Sequence, residues 1–379
     1  MRIAQRATIE SVNPYPRTWI EVDLTALKHN LGVIRERIGP EPKLGLVAKA
    51  DAYGHGIITV GRYALQHGVD WIFVATIQEA ISLRDAGVEA PIVVLSPVLP
   101  IEIEQAVFYR LRILVESMDL VPALVEAAAR QGTKAMVHIK VDTGISRFGA
   151  SPVEVLDLAI QLKQIREIDL EGIATHFTDS GADQERTIEQ MRKFAAVREV
   201  CAANKINFKW VHAANSAGTL RYPRSHGNLV RVGIASYGID PYGLFEVGEV
   251  RPLMTWKTRV MVVRERPAGT FVSYGSTHQL GRTTRIATLG VGYGDGYPRA
   301  LSSKGIVAVN GVRCPVIGLV CMDQMLVDVT DAGAVEMGDE VTLIGPEIGV
   351  PELAQLAETN CHEITTRIMS RVPRRYHFS

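Results

Sequence analysis

The chain has 379 residues, roughly two to three times the usual size of one domain, so two domains are the default expectation. Lysine plus arginine and aspartate plus glutamate number 41 each, which leaves no excess positive charge to attract nucleic acid or an anionic membrane surface. Hydrophobic residues make up 47% and charged residues 22%, a balance typical of a folded globular protein and not of a disordered chain.

The first segment, Met1 to Trp19, contains charged residues and prolines but no apolar run, so we expect neither a secretory signal nor a membrane span. Four cysteines, at positions 201, 314, 321 and 361, have neither metal-type spacing nor the density of a disulfide scaffold. Free thiols suit a reducing compartment, and the expected location is the cytoplasm.

From about residue 44 onward, short apolar runs rich in β-branched residues alternate with longer amphipathic stretches. The runs predict eight strands: LGLVAK (44–49), WIFVAT (71–76), PIVVLS (91–96), RILV (112–115), AMVHIKVD (135–142), LEGIATH (170–176), WVHAAN (210–215) and NLVRVG (228–233). Stretches such as EAISLRDAG (79–87) and VEVLDLAIQLKQI (153–165) have apolar residues three and four apart and predict helices between the strands.

Eight alternating strand and helix units predict a TIM-type α/β barrel of parallel strands, with a doubly wound open sheet as the alternative. Polar residues occur at the carboxyl ends of the runs, where such barrels build their active sites. They are Lys49, Asp142, His176, Asn215 and Arg231. In an open sheet they would gather at one switch point, so their distribution favours the barrel.

After about residue 250 the pattern changes to alternating segments broken by Gly, Pro and Asp turns. Examples are TRVMVVRE (258–265), RIATLGV (285–291), GIVAVNG (305–311) and EVTLIG (340–345). The predicted domains are therefore the barrel at 17–250 and a mainly β domain at 251–379. Residues 1–16, which include ATIESV (7–12), are expected to pack with the second domain.

Lys49 ends the first barrel run in VAKADAYGHG (47–56), where apolar neighbours would bury most of its stem. Burial disfavours the charged ammonium, lowers its pKa and makes the amine nucleophilic, as a Schiff base with an aldehyde cofactor requires. Taken by itself, this run is also compatible with an ordinary lysine whose ammonium reaches solvent or pairs with Asp51.

VAKADAYGHG resembles the cofactor-lysine signature of the alanine racemase family, whose members are fold-type III pyridoxal-phosphate enzymes. Further resembling blocks are IKVDTGISRFG (139–149), THF (175–177), HAANSAGTLR (212–221), VRVGIASYG (230–238), VSYGSTH (272–278), VGYGDGYPR (291–299), CMDQ (321–324) and SRVPR (370–374). The resemblance implies an eight-stranded barrel followed by a β domain, and interconversion of L- and D-alanine that supplies D-alanine for peptidoglycan.

The loops after barrel strands seven and eight often bind phosphate on backbone amides. Ser216 and the pair Gly233 and Ile234 lie there and match the family's phosphate positions. Tyr53 resembles a further phosphate contact. A helix cap at Ser216 and a packing glycine at 233 are the alternatives when each residue is taken alone.

Arg231 interrupts the apolar run LVRVGI, so its guanidinium is expected to point into the barrel mouth. The resemblance implies that it faces the pyridine nitrogen of the cofactor. Because arginine keeps its proton, the ring would stay a weak electron sink, whereas related decarboxylases have a carboxylate there. A buried arginine paired with a carboxylate is the alternative.

Racemisation needs one base on each face of the α-carbon. The resemblance implies that Lys49 serves one face and that Tyr274 serves the other face in the partner subunit's site, which makes a homodimer with composite sites. A tyrosine needs a neighbour to act as a base at neutral pH, and His176 matches the family residue with that role. Taken alone, Tyr274 would be an ordinary sheet tyrosine.

Four more residues match family positions. Arg147 corresponds to the residue that bonds the cofactor's phenolate oxygen and approaches the substrate carboxylate, and Lys140 to a lysine that is carbamylated in many members. Met322, which precedes Asp323, matches a backbone contact to the substrate carboxylate. Tyr293 resembles an entrance residue of the partner subunit.

Two positions depart from the family pattern. Leu319 stands where the family usually has an arginine, and His362, a candidate cofactor contact, stands where it usually has a tyrosine. These changes leave open a broader racemase that acts on serine or basic amino acids. Two different functions compete with racemisation on this fold. One is a decarboxylase or aldolase, against which Arg231 and Tyr274 argue, and one is a pyridoxal-phosphate carrier without turnover.

Overall fold

The computed structural model describes residues 16–378. These residues form two compact units, one from 16–22 and Met254–His377 and the other from Asp23–Leu253 and Phe378. The prediction for residues 1–15, including ATIESV (7–12), lies outside the described residues. Within the described range, no helix has the length and apolar character that crossing a membrane requires, and no group of three or more His, Cys, Asp or Glu is placed to hold a metal ion.

Strand β1 (Thr18–Asp23) opens the described chain, and the Asp23 carboxylate caps helix α1 (Leu24–Ile38). Eight parallel strands follow: β2 (Lys43–Val47), β3 (Trp71–Val74), β4 (Ile92–Val94), β5 (Arg112–Val115), β6 (Ala135–Lys140), β7 (Ile168–Ala174), β8 (Trp210–His212) and β9 (Leu229–Val232). The helical elements between them are α2 (Lys49–Tyr53), α3 (Ile57–Gln66), α4 (Ile77–Asp85), α5 (Ile103–Phe108), α6 (Val121–Gln131), α7 (Val155–Gln164), α8 (Gln184–Ala203) and α9 (Ser216–Arg221).

The eight strands lie side by side in the order β8-β7-β6-β5-β4-β3-β2-β9. The two end strands also meet, because Asn228 N–H bonds to Val211 O at 3.2 Å and Arg231 N–H bonds to Ala214 O at 3.0 Å. The sheet is therefore a nearly closed barrel, as predicted. Several strands are shorter than their predicted runs, since residues such as Asp142 and Asn215 leave the ladder and enter loops at the carboxyl end.

The other unit is mainly β. Its later elements are β10 (Met254–Arg266), β11 (Phe271–Val272), β12 (His278–Gln279), β13 (Thr284–Leu289), β14 (Ile306–Val309), β15 (Val312–Ile317), β16 (Met325–Asp328), β17 (Glu340–Ile344), α10 (Val350–Leu356), α11 (Cys361–Thr366) and β18 (Arg374–His377). Eight strands form a sheet in the order β13-β16-β15-β14-β17-β10-β1-β18. Because β10 also pairs with β13, six of these strands close into a ring.

Strand β1 corrects the predicted boundary at residue 17. It pairs antiparallel with β10, from Thr18 opposite Thr258 to Val22 opposite Met254, so residues 17–22 belong to the β unit. The pairing is fixed by packing, since Trp256 is buried and its Nε1–H donates to Thr18 Oγ1 at 2.9 Å. The sequence of a short apolar strand does not indicate a pairing partner so far along the chain.

Candidate active site

Lys49 lies two residues beyond the last residue of β2, at the carboxyl end of the barrel. The strand ladder ends one residue earlier, where Ala48 N–H bonds to Phe73 O at 2.8 Å. The pKa of the Lys49 amine is lowered, first by burial and then by the charge of Arg147, while Glu79 opposes the shift. No ion pair links Lys49 to Asp51 among the described residues, so this side chain has the environment of a reactive amine.

The backbone after Lys49 makes an unusual turn, which we call the lysine turn (residues 49–56). Residues Ala50 to Tyr53 all have φ between 52° and 55°, so the helical element α2 is left-handed, and Gly54 continues at 83°. The ring of Tyr237 packs against those of Tyr53 and His55, with centroids 4.9 and 4.7 Å away. Tyr237 Oη also donates to Val47 O at 3.0 Å, which anchors the turn to the end of β2.

Arg231 on β9 is only 4% exposed. Its Nη1 donates to His212 Nδ1 at 2.9 Å and to His212 O at 2.8 Å. Its Nη2 donates to Thr175 O and Ala213 O, both at 2.9 Å, and lies 3.4 Å from His176 Nδ1. Burial lowers the pKa of the guanidinium to about 10, so it remains a cation at neutral pH. No carboxylate of the described residues bonds to Arg231, so within this part of the chain it is not an arginine held by a structural ion pair. Its Nε has no hydrogen-bond partner among the described residues.

A buried line of polar side chains continues from Arg231 into the barrel. His212 Nε2 lies 2.8 Å from His138 Nδ1, and His138 Nε2 lies 3.6 Å from Glu171, which is itself paired with Arg112 at 3.0 Å. Because arginine can only donate, His212 Nδ1 must accept and His212 Nε2–H must donate to His138. Burial holds the pKa of both imidazoles below the ordinary value, so both are neutral.

Three further predicted residues, His176, Lys140 and Arg147, surround this mouth. The pKa of His176 is held well below its usual value by burial and by the charges of Arg231, Lys140 and Arg147. Lys140 is 3% exposed and donates to Val141 O at 2.9 Å, and burial followed by the charge of Arg231 lowers its pKa to about 8. The cluster therefore combines the permanent cations Arg231 and Arg147 with amines and an imidazole whose charged forms are disfavoured.

Ser216 is the first residue of α9 and not its cap, since Asn215 caps the helix by accepting from Gly218 N at 2.9 Å. The Ser216 hydroxyl instead accepts from Gly233 N at 3.0 Å and from Ala235 N at 3.5 Å. A Cβ on Gly233 would lie 2.5 Å from Tyr53 Oη, a distance that side chains do not adopt. Two hydroxyls and backbone amides thus converge on one small cradle, which suits a phosphate group.

Tyr274 lies in a short turn after β11 in the β unit and is 72% exposed. The turn bends through Ser273 and Gly275, with φ of 64° and 70°, and Ser273 Oγ donates to Leu319 O at 2.9 Å. A cavity of about 480 Å³ opens beside Tyr274. It is lined by Tyr274, Tyr293, Arg299, Leu319, Val320, Cys321, Met322, Asp323 and Gln324. Leu319 holds the turn through its backbone, so this contact does not depend on the side chain at position 319.

One arginine joins the two loops that carry Tyr293 and Met322. Arg371 donates to Asp295 at 2.8 Å and to Asp323 at 2.8 Å, and Asp295 is only 2% exposed. The loops also bond directly, since Gly294 N–H donates to Met322 O at 2.8 Å. The second predicted group of site residues is therefore held in a fixed arrangement within its unit.

The structure brings the predicted residues together in two groups. Those at the mouth of the barrel are Lys49, Tyr53, Lys140, Arg147, His176, Ser216, Arg231, Gly233 and Ile234. Those that line the β-unit cavity are Tyr274, Tyr293, Met322 and Asp323. His362 lies in α11 and is not among the residues that line this cavity.

Comparisons with known proteins agree with these geometries. Sequence profiles described as alanine racemase, N-terminal domain, and alanine racemase, C-terminal domain, match residues 22–241 and 253–376. The chain belongs to the alanine racemase family. An alanine racemase from Symbiobacterium thermophilum is 43% identical over 366 residues, which cover 95% of this chain and 97% of the relative.

Solved structures support the same assignment. The alanine racemase of D-cycloserine-producing Streptomyces lavendulae superposes with a TM-score of 0.91 at 32% identity, covering 96% of this chain and 97% of the other. The enzyme of Bartonella henselae, solved with covalently bound pyridoxal phosphate, has a TM-score of 0.87 at 28% identity and covers 96% of this chain and 100% of the other. The chain is therefore an isomerase that racemises alanine.

Several residues that support the barrel mouth were not predicted from the sequence motifs. His212, Tyr237 and Glu79 each make a hydrogen bond to a predicted site residue or to a residue within two positions of one. His212 could have been found, since it is a polar residue at the end of a buried strand. Glu79 also had a signal, the capping pattern TIQE at 76–79 after the second barrel strand.

Proposed function

We propose that the chain interconverts L-alanine and D-alanine with pyridoxal 5'-phosphate as cofactor and with two bases, Lys49 and Tyr274 of the partner subunit. The observation that carries this proposal is the environment of Arg231, a buried cation at the barrel mouth with histidine and carbonyl partners and no carboxylate among the described residues. That environment suits a racemase better than a decarboxylase, in which a carboxylate faces the cofactor nitrogen.

The residues present fit this cofactor. Lys49 offers an amine of lowered pKa for a covalent link, as in the Bartonella henselae enzyme with covalently bound pyridoxal phosphate. Ser216 Oγ and the amides of Gly233 and Ile234 would hold the phosphate, with the Tyr53 hydroxyl alongside. Arg231 would meet the pyridine nitrogen with an N–H that it keeps, and Arg147 would bond the phenolate oxygen.

Bound pyridoxal phosphate supplies an electron sink that acidifies the α-hydrogen of the amino acid. The Lys49 amine, whose pKa is lowered by burial, can in its neutral form take that proton at Nζ on one face and return it. Tyr274 of the partner subunit would exchange a proton at Oη on the opposite face, with the neutral imidazole of His176 as its neighbour. Arg147 and the Met322 backbone N–H would orient the substrate carboxylate, so that only the α-hydrogen is presented to the two bases.

The composite site requires a homodimer, because Tyr274 would act in the partner's barrel. The exposure of Tyr274 and the neighbouring cavity support such an arrangement. An aromatic side chain that is 72% exposed beside a concave surface is typical of a surface that another subunit contacts. We place the reaction in the cytoplasm, in accord with four free cysteines, and assign it the supply of D-alanine for peptidoglycan.

The deciding experiment is chiral product analysis of purified protein with pyridoxal phosphate, started separately from L-alanine and D-alanine. The proposal expects the opposite enantiomer from both. Serine and lysine tested in parallel would identify a broader racemase, the alternative raised by Leu319 and His362. Cofactor binding without interconversion of any amino acid would overturn the proposal in favour of a carrier.

A further inference from the structure

The lysine turn is held in a conformation that its residues do not favour. Ala50, Asp51, Ala52 and Tyr53 all have positive φ, although none of them is glycine. A side chain on Cβ disfavours the left-handed region, and such residues persist only where surrounding contacts determine them. The position of Lys49 therefore depends on whatever fixes the start of this turn.

The carboxylate of Glu79 holds the first left-handed residue of this turn, in addition to the anchor that Tyr237 provides at Val47. Its Oε1 accepts a hydrogen bond from Ala50 N at 2.6 Å, the amide directly after Lys49 and the first of the left-handed residues. Its Oε2 accepts from Ala75 N at 2.8 Å and from Thr76 N at 3.2 Å, in the loop after β3. One side chain thus ties the loop that carries Lys49 to the neighbouring loop of the barrel.

This arrangement exceeds what a helix cap needs. Glu79 is the third residue of α4, and Thr76 Oγ1 accepts from Glu79 N at 3.2 Å, so the reciprocal capping box is complete within one loop. The bond to Ala50 adds nothing to that cap. The Glu79 charge also acts on Lys49, since it opposes the lowering of the Lys49 pKa by burial and Arg147.

We propose that Glu79 is a positioning residue for Lys49, whose carboxylate fixes the lysine turn, places the Lys49 amine and sets the charge around it. The proposal rests on the proposed function for its kinetic consequence, but its geometric and electrostatic part concerns the protein alone. Removal of the negative charge should lower the pKa of Lys49 further, and loss of the bond to Ala50 should misplace its Nζ.

The test compares Glu79→Gln with a matched control, Glu102→Gln. Glu102 also caps locally, with Leu99 N–H donating to its Oε2 at 2.8 Å, but no hydrogen bond of the described residues ties it to the lysine turn. Acetic anhydride labelling of the Lys49 amine is followed against pH by peptide mass spectrometry in the full-length chain freed of cofactor. This readout does not require racemase activity, so failure of the proposed function would be visible separately.

For Glu79→Gln the labelling midpoint of Lys49 should move to lower pH, and with pyridoxal phosphate kcat should fall by about 10- to 100-fold with a smaller change in KM. Glu102→Gln should leave both unchanged. An unshifted midpoint in Glu79→Gln would overturn the proposal. If this variant does not fold, Glu79→Asp retains the charge but shortens the reach to Ala50, and wild-type kcat in that variant would equally overturn it.

Discussion

Arg231 and His212 are joined twice inside the barrel, through Nη1 to the ring Nδ1 at 2.9 Å and through Nη1 to the His212 carbonyl at 2.8 Å. The double contact fixes both the tautomer and the plane of the imidazole. It also connects the barrel mouth with His138 and Glu171 deeper in the interior, where water does not screen the interactions. The orientation of Arg231 is therefore set by residues that no substrate would touch.

Replacement of His212 by leucine should destabilise the protein by about 1–3 kcal/mol, because Arg231 Nη1 and His138 Nδ1 each lose a buried partner. The midpoint of urea unfolding measures this loss. His226→Leu is the control, since the His226 ring bonds to a backbone carbonyl, Thr219 O, at 2.7 Å and lies outside the Arg231–His212–His138 line. Equal losses in the two variants would show that this line adds no stability of its own.

Lys49→Ala should abolish both the covalent attachment of pyridoxal phosphate and turnover, because the amine proposed to bind the cofactor is removed. Borohydride reduction followed by peptide mass spectrometry measures the attachment. In the wild type the cofactor should be found on the peptide that contains Lys49. Full activity in Lys49→Ala would exclude the proposed role of this residue.

Tyr274→Phe removes the hydroxyl proposed to serve one face of the α-carbon. The enantiomers have equal free energy, so kcat/KM must stay equal in the two directions and any asymmetry has to appear elsewhere. We expect kcat to fall. We expect the isotope effect of a deuterated substrate to increase in only one direction of the reaction, the one in which the missing hydroxyl acts as the proton acceptor. Retention of wild-type kcat and symmetric isotope effects would refute the assignment.

Lys140 should form a carbamate with dissolved carbon dioxide. Only the neutral amine reacts, and since the pKa of Lys140 is lowered to about 8, the reactive form grows as pH rises through that value. Carbon-13 NMR with labelled bicarbonate should show one protected carbamate signal that increases from about pH 7 to about pH 9. The signal should be absent in Lys140→Arg, and its persistence there would assign it to another amine.

Gly233→Ala should weaken pyridoxal-phosphate binding by about tenfold or more, because the new Cβ would lie 2.5 Å from Tyr53 Oη and distort the cradle. Fluorescence titration with the cofactor measures the change. Gly32→Ala, within α1 and with no atom within 4 Å of the added Cβ, should leave binding unchanged. The double variant with Tyr53→Phe should recover part of the loss, and no recovery would point to a cause other than this contact.

The barrel could be predicted because each strand is a short buried run of β-branched residues, and packing forces such runs into parallel strands covered by helices. The group around Arg231 could be predicted because a charged residue in an apolar strand must find partners. The lysine turn could not, since Ala50 and Ala52 carry no preference for positive φ and adopt it only under contacts from Glu79 and Tyr237. Those contacts come from distant positions, beyond the reach of local patterns.

The place of β1 in the β unit has a consequence for synthesis. Val22 pairs with Met254, so the ribosome releases this strand about 230 residues before its partner. At about 5–20 residues per second, the strand waits roughly 10–50 s with its backbone groups unpaired while the barrel segment emerges. During that interval it is an open edge for association with other chains. A fragment that begins at residue 253 would likewise lack the strand between β10 and β18, and it should need residues 16–22 supplied as a separate peptide to complete its sheet.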